Sequence, residues 1–119
     1  MTTEQIARRL KELCEQGQFE HALKELFSPD ALSIEPDESP DFARETKGMD
    51  AILAKGKKWN EMVIEQHGFG ISEPLIADDS FALTMHIDVT MKGSGRMNHN
   101  ELCVYRVSGG KIVSEQFLM

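Results

Sequence analysis

The sequence predicts an α+β domain in which three helices cover one face of a long, strongly curved antiparallel sheet. Two observations predict it: helical spacing of apolar residues in the first half of the chain, and a two-residue period in the second half. From Phe81 to Met91 every odd position is apolar and every even position is polar or alanine, as is typical of a strand with one buried face. Helices that precede a meander pack on one side of it, so the expected order is α-α-β-α-β-β-β-β.

The helices are bounded by recognisable caps and breakers. Thr2 and Gln5 have the spacing of a capping box, and Gly17 ends the first helix. A second, shorter helix is stopped by Ser28-Pro29-Asp30, and a third is expected over 48–62. The apolar stripe of the third helix consists of Met49, Ile52, Leu53, Trp59 and Met62.

The strands are delimited by turn residues and by proline. A short first strand over 31–35 is followed by an acidic, turn-rich loop. Pro74 predicts an edge or a bulge near the end of the second strand, because proline cannot donate to a ladder. Ser108-Gly109-Gly110 predicts a tight hairpin. The four later strands are expected over 63–76, 81–91, 96–107 and 111–119.

Composition and charge narrow the function classes. A chain of 119 residues with 40% apolar and 28% charged residues is expected to form a single domain over 1–119. The net charge is -7 and no basic stripe is present, which argues against a nucleic-acid partner. Neither a signal peptide nor a membrane span is apparent, so the expected location is cytoplasmic. Cys14 and Cys103 are expected to be buried free thiols, and no metal or cofactor is expected.

Several short motifs occur in a fixed order along the chain. They are Gly17-Gln18-Phe19, then 26–31 (LFSPDA), 47–52 (KGMDAI) and 105–113 (YRVSGGKIV). Together they resemble the SnoaL-like branch of the nuclear transport factor 2 superfamily, which also contains ketosteroid isomerases, polyketide cyclases and limonene epoxide hydrolase. The resemblance covers nearly the whole chain. It implies a cystatin-like cone with a pocket open at one end, and commonly a homodimer through the outer face of the sheet.

The superfamily does not imply one reaction, because its fold carries enzymes, binding modules and inactive subunits. In ketosteroid isomerases a carboxylate directly before a proline is the general base, and Glu35-Pro36 stands in that place here. Those enzymes also need a tyrosine and a neutral aspartic acid as hydrogen-bond donors. The matching positions resemble Leu10 and Cys103, so classical steroid isomerisation is disfavoured.

Strand alternation and the resemblance together predict which side chains face the pocket. If Cys103 faces inward, His99, Glu101 and Tyr105 do so too. The resemblance places Val113, Glu115 and Phe117 inside on the last strand, and His67, Phe69 and Ile71 inside on the strand before Pro74. The candidate catalytic residues are Glu35, His67, Glu101, Tyr105 and Glu115. The candidate substrate-binding residues are Trp59, Phe69, Leu83, Met85, Ile87, Cys103 and Phe117.

Carboxyl groups beside an imidazole in an apolar hollow are suited to acid–base chemistry on a carbonyl compound or an epoxide. In that hypothesis Glu35 or Glu101 is the base, His67 its partner, and Tyr105 a donor, acting on a small, neutral, hydrophobic molecule. Two alternatives stay open: a module that binds such a molecule without turnover, and a dimeric scaffold with a vestigial pocket. Each candidate residue also has a purely structural explanation, such as a satisfied buried network.

Overall fold

The computed structural model describes residues 1–119 and contains three helices and seven strands. The helices are α1 (Thr3–Glu15), α2 (Phe19–Leu26) and α3 (Met49–Met62). The strands are β1 (Phe27–Ile34), β2 (Glu45–Lys47), β3 (Val63–Ile71), β4 (Leu75–Ile76), β5 (Ser80–Met91), β6 (Gly95–Ser108) and β7 (Lys111–Leu118). None of the three helices combines the length and the apolar content that crossing a bilayer requires.

The strands form one mixed sheet in the order β2-β1-β7-β6-β5-β3, and β4 pairs with β5 on the same edge as β3. Strands β3, β5, β6 and β7 are antiparallel neighbours, whereas β1 runs parallel to β7. The sheet is curved and unclosed, with the helices packed on its inner face. The predicted α+β cone is therefore confirmed.

The predicted start of α1 is also confirmed. Gln5 N–H donates to Thr2 Oγ1 at 3.1 Å, and Thr2 N–H donates to Gln5 Oε1 at 2.9 Å. This reciprocal pair satisfies donors that a helix start otherwise leaves free. Gly17, at φ +73°, follows the helix in the left-handed conformation that glycine adopts without strain.

The core is dense beneath α1 and looser beneath α3. Helix α1 buries Ile6, Ala7, Leu10, Leu13 and Cys14, whereas α3 fully buries Ile52 alone. The other members of the predicted α3 stripe are half-buried, and Trp59 packs against Phe42 of the preceding loop with ring centroids 6.4 Å apart. Helix α3 is therefore less deeply buried than α1.

Three strand predictions differ from the structure. Strand β1 begins at Phe27, and its register against β7 shifts between Phe27 and Leu32, around a proline that lacks an N–H. The predicted 37–47 loop contains β2, which pairs with the end of β1. Its sequence Glu-Thr-Lys has no apolar alternation to indicate a strand. The predicted 63–76 strand is divided into β3 and β4, with Pro74 in the connection between them.

Candidate functional site

Three carboxyl groups from separate parts of the sheet meet on its inner face. Glu115 lies on β7, Glu101 on β6, and Glu35 directly after β1. Alternation places the first two inward, where Glu115 pairs with Tyr105 and Glu101 pairs with Met85. The three carboxyl groups are close enough to perturb one another electrostatically. The structure therefore brings these three of the five candidate catalytic residues together.

One lysine and one serine connect two of these carboxyl groups. Lys55 Nζ donates to Glu35 Oε1 at 2.9 Å and to Ser33 Oγ at 2.6 Å. Ser33 Oγ in turn donates to Glu115 Oε1 at 2.8 Å. Lys55 lies one turn after Ile52 on α3, so its amine reaches the sheet, 5.7 Å from the centre of the Phe117 ring.

Burial raises the pKa of Glu115 from its ordinary value of 4.5 to about 7, against the opposing effects of the Ser33 hydroxyl and the Lys55 ammonium. Burial also raises the pKa of Glu101, and the imidazole of His99, 3.5 Å away, opposes that shift. Because a single ammonium is shared among three carboxyl groups, full ionisation of the cluster is unfavourable. At neutral pH Glu115 is therefore divided between carboxylic acid and carboxylate.

Tyr105 is placed in the aromatic core behind this cluster. Its ring stacks on Phe81 at 4.7 Å between centroids and meets Phe27 edge-on at 6.4 Å. Burial raises its pKa well above the ordinary value, so the phenol is neutral. The structure gives Tyr105 a packing role, and no hydrogen bond joins it to the carboxyl groups.

His67 does not reach the cluster, in contrast to the predicted inward position. Its Nε2 lies 2.7 Å from Thr90 Oγ1, which shares the outer face of β5 with Asp88. The register of β3 against β5 shifts between Gln66 and Gly68, so His67 is the extra residue of a bulge and strict alternation fails there. The imidazole beside a carboxyl group of the cluster is instead that of His99, whose Nε2 lies 3.5 Å from Glu101 Oε1.

The predicted lining residues separate into two groups. Leu83, Met85 and Cys103 are fully buried core residues, while Phe69, Ile87 and Phe117 are half-buried on the inner face, as Trp59 is beside Phe42. Both thiols are free and buried as predicted. Burial raises the pKa of Cys14 to about 12 and that of Cys103 further, so neither thiol is ionised at neutral pH.

Two surface cavities lie away from the carboxyl cluster. One, of about 330 Å³, is lined by charged residues of α1 and by Glu73; the other, of about 250 Å³, is an apolar depression along β4 and β5. The half-buried Ile87 and Phe117 lie on the concave face beside the cluster. The enclosed apolar pocket stays a prediction.

Sequence reasoning missed Ser33 and Lys55. Ser33 is two residues before Glu35, which places it on the same side of an extended chain and is a usable signal. Lys55 is three residues after Ile52, on the buried side of a helix, where a lysine is unusual. In the sequence it stands in a short basic run with Lys57 and Lys58.

A curved, unclosed sheet wrapped over three helices is the architecture of the cystatin-like and nuclear transport factor 2-like folds. Within that class, residues 1–119 match the SnoaL-like domain family, so the chain belongs to it. No functionally curated protein matches the chain significantly.

Solved structures agree with this assignment. A Mesorhizobium loti protein, provisionally named both a SnoaL-like polyketide cyclase and a carbohydrate phosphatase, is 34% identical over 100% of both chains, with a TM-score of 0.93. A Burkholderia thailandensis nuclear transport factor 2-like protein is 19% identical, with a TM-score of 0.84 over 99% of this chain and 90% of its own. A Xanthomonas campestris protein with a cystatin-like fold is 21% identical, with a TM-score of 0.83 over 99% and 90%. The last two show the fold alone.

Proposed function

We propose that this protein binds a small neutral molecule on the concave face and transfers a proton on it, with Glu101 as base and Glu115 as acid. The observation that carries the proposal is the buried carboxyl cluster with one shared ammonium. Such a cluster holds a carboxylic acid and a carboxylate together near neutral pH. When the environments of two titratable groups shift their pKa values apart, one group can act as the acid of an active site and the other as the base.

The positions of the two glutamates suit these different roles. The Glu101 side chain is 16% exposed and has the His99 imidazole at its side, so it is partly accessible to solvent. Glu115 is 8% exposed and receives a hydrogen bond on Oε1 from Ser33. In the protonated form it can donate to a carbonyl or epoxide oxygen while Glu101 accepts a proton from carbon or from water.

The surrounding charge and apolar surface favour a neutral ligand. The net charge of -7 gives no attraction for an anion. Half-buried Ile87 and Phe117 offer apolar contact beside the carboxyl groups. Classical ketosteroid isomerisation is disfavoured, because Leu10 and the un-ionised thiol of Cys103 stand where strong hydrogen-bond donors would be required.

Deuterium exchange tests the proposal without knowledge of the natural substrate. A panel of cyclic ketones is incubated with the protein in D₂O, and loss of the α-proton is followed by NMR. For at least one ketone we expect the wild type to exchange the α-proton faster than buffer does. For that ketone, Glu101→Gln should exchange it at least 100-fold more slowly than the wild type, because a general base has been removed. The matched control, Glu65→Gln, changes an exposed outer-face carboxylate and should have no effect.

Exchange at the buffer rate for every ketone, with binding of the same ketones retained, would contradict the catalytic proposal and favour a binding module. Equal losses in Glu101→Gln and Glu65→Gln would contradict the assignment of Glu101.

We also propose that the chain forms a homodimer through the outer face of the sheet. Leu102 and Leu118 pair across β6 and β7 and are each 41% exposed, a combination that favours a partner surface. Light scattering should give twice the mass of the 13.4 kDa chain for the wild type. Leu102→Asp should give a monomer, and Leu75→Asp, at the exposed edge strand β4, is the control. A monomeric wild type at high concentration would contradict the proposal.

A further inference from the structure

A continuous chain of hydrogen bonds joins the buried Glu115 to the half-buried Glu35. It passes from Glu35 Oε1 to Lys55 Nζ at 2.9 Å, to Ser33 Oγ at 2.6 Å and to Glu115 Oε1 at 2.8 Å. The Glu35 side chain is 28% exposed, whereas Glu115 as a residue is 8% exposed. Glu35 is therefore the end of the chain that meets water.

The direction of the hydrogens in this chain is fixed by chemistry. An ammonium group has donors and no acceptor, so Ser33 Oγ accepts from Lys55. The single hydroxyl hydrogen of Ser33 is then directed at Glu115 Oε1. Both bonds point toward Glu115, which is the arrangement that passes a proton inward.

We propose that Ser33 and Lys55 form a proton relay that returns a proton from solvent to Glu115. This extends the proposed function, because an acid that donates in each turnover has to be protonated again, and Glu115 itself is nearly sealed from water. Lys55 gives a proton to Ser33 Oγ while Ser33 gives its own to the Glu115 carboxylate. The resulting neutral amine takes up a proton that Glu35 has received from water. Glu35, Lys55 and Ser33 end unchanged, and one proton has moved from water to Glu115.

The other groups near Glu115 offer one competing route. Those groups are Cys14 on α1 and Glu101, Cys103 and Tyr105 on β6. The two thiols and the phenol are buried and hold their protons at neutral pH. Glu101 is the remaining group able to exchange a proton, so the experiment includes a variant at that position.

The rate of proton exchange at Glu115 tests the relay in the absence of any substrate. It is measured by ¹³C relaxation dispersion at the side-chain carboxyl carbon, with each variant at its own titration midpoint. Lys55→Arg is the decisive change, because a guanidinium keeps the charge and the donors but does not release a proton. We expect exchange at least tenfold slower in Lys55→Arg and Ser33→Ala, and near the wild-type rate in Ser33→Thr, which restores a hydroxyl.

A structural or electrostatic role would move the midpoint and change the exchange rate only in proportion to the proton concentration at the new midpoint. Rates are therefore compared after division by that concentration, which separates such a role from the relay. Lys57→Arg, an exposed position on the same helix, is the control for the lysine change. Wild-type exchange rates in both Lys55→Arg and Ser33→Ala would overturn the relay, as would slowing confined to Glu101→Gln. If Ser33→Ala fails to fold, Lys55→Arg alone decides. Since no ketone is present, failure here leaves the proposed function testable by its own exchange assay.

Discussion

Two carboxyl groups are almost fully buried on opposite faces of the same sheet, and they differ in their partners. Asp88 on the outer face is 9% exposed, and its two oxygens accept from Arg96 Nε and Nη2, each at 2.9 Å. Glu115 on the inner face is 8% exposed and accepts from a neutral hydroxyl. The Arg96 hydrogen bonds lower the pKa of Asp88, whereas burial raises the pKa of Glu115 to about 7.

The difference shows that burial alone does not decide the charge of a carboxyl group. Asp88 forms a bidentate ion pair with the guanidinium of Arg96 and stays ionised. Glu115 shares one ammonium with two other carboxyl groups and is able to hold a proton. Of these two carboxyl groups, Glu115 is therefore the one that can exchange a proton near neutral pH.

The largest expected effect comes from Glu115→Gln. The folded state keeps the Glu115 proton up to about pH 7, while the unfolded chain releases it near its ordinary pKa of 4.5. Stability therefore falls as the pH rises between these values, and this contribution disappears in the glutamine variant. Between pH 4 and pH 8 we expect the wild type to lose about 3 kcal/mol of unfolding free energy relative to Glu115→Gln. Urea unfolding at a series of pH values measures this, and parallel curves for the two proteins would contradict it.

Ser33→Ala should have the next largest effect. Ser33 is fully buried and is the sole link between Lys55 and Glu115, so its loss leaves polar groups without a partner. We expect a loss of about 2 kcal/mol of unfolding free energy at neutral pH, together with a higher Glu115 pKa. The control is Ser108→Ala in the exposed hairpin. A stability loss no larger than that of the control would show that the network is not formed in solution.

Asp88→Asn should destabilise with the opposite pH dependence. Because the folded pKa of Asp88 is lowered, the stabilisation by its ion pair is present above the ordinary pKa of 3.8 and is lost as the pH falls through the folded value. The variant should be less stable than wild type at pH 7, by less than Ser33→Ala because Arg96 is mostly exposed. The difference should shrink as the pH is lowered toward 3. A difference that grows on acidification would contradict the contrast between the two carboxyl groups.

His67→Ala should have the smallest effect, within about 0.5 kcal/mol of the wild type, as for other surface changes. In the ketone exchange assay it should retain the wild-type rate, whereas His99→Ala should alter the pH profile through Glu101. A pH profile that changes with His67→Ala and stays constant with His99→Ala would contradict the placement of these two imidazoles.

Strand alternation predicted side-chain direction correctly where two strands pair without a shift in register. Alternation along β6 placed Glu101, Cys103 and Tyr105 on the inner face, since this stretch pairs with β5 without a shift in register. The same rule failed at His67, because a bulge inserts one residue and alternation carries no signal for it.

The site predicted from the sequence did not include Lys55, its cation, because this side chain reaches the sheet from helix α3. Which carboxyl group a long side chain meets depends on the distance between α3 and the sheet, and no spacing in the sequence encodes that distance. Ser33 was missed for a related reason: a serine in a strand is ordinary until a lysine and a glutamate are found on either side of its hydroxyl.

The most direct test of the central claim is a ¹³C NMR titration of the Glu115 side chain in the wild-type protein. The structure predicts a midpoint near pH 7, with the carboxylic acid substantially populated under neutral conditions. A midpoint at or below 4.5 would mean that Glu115 is an ordinary ionised carboxylate like Asp88, and the inner cluster would then have no acid to offer.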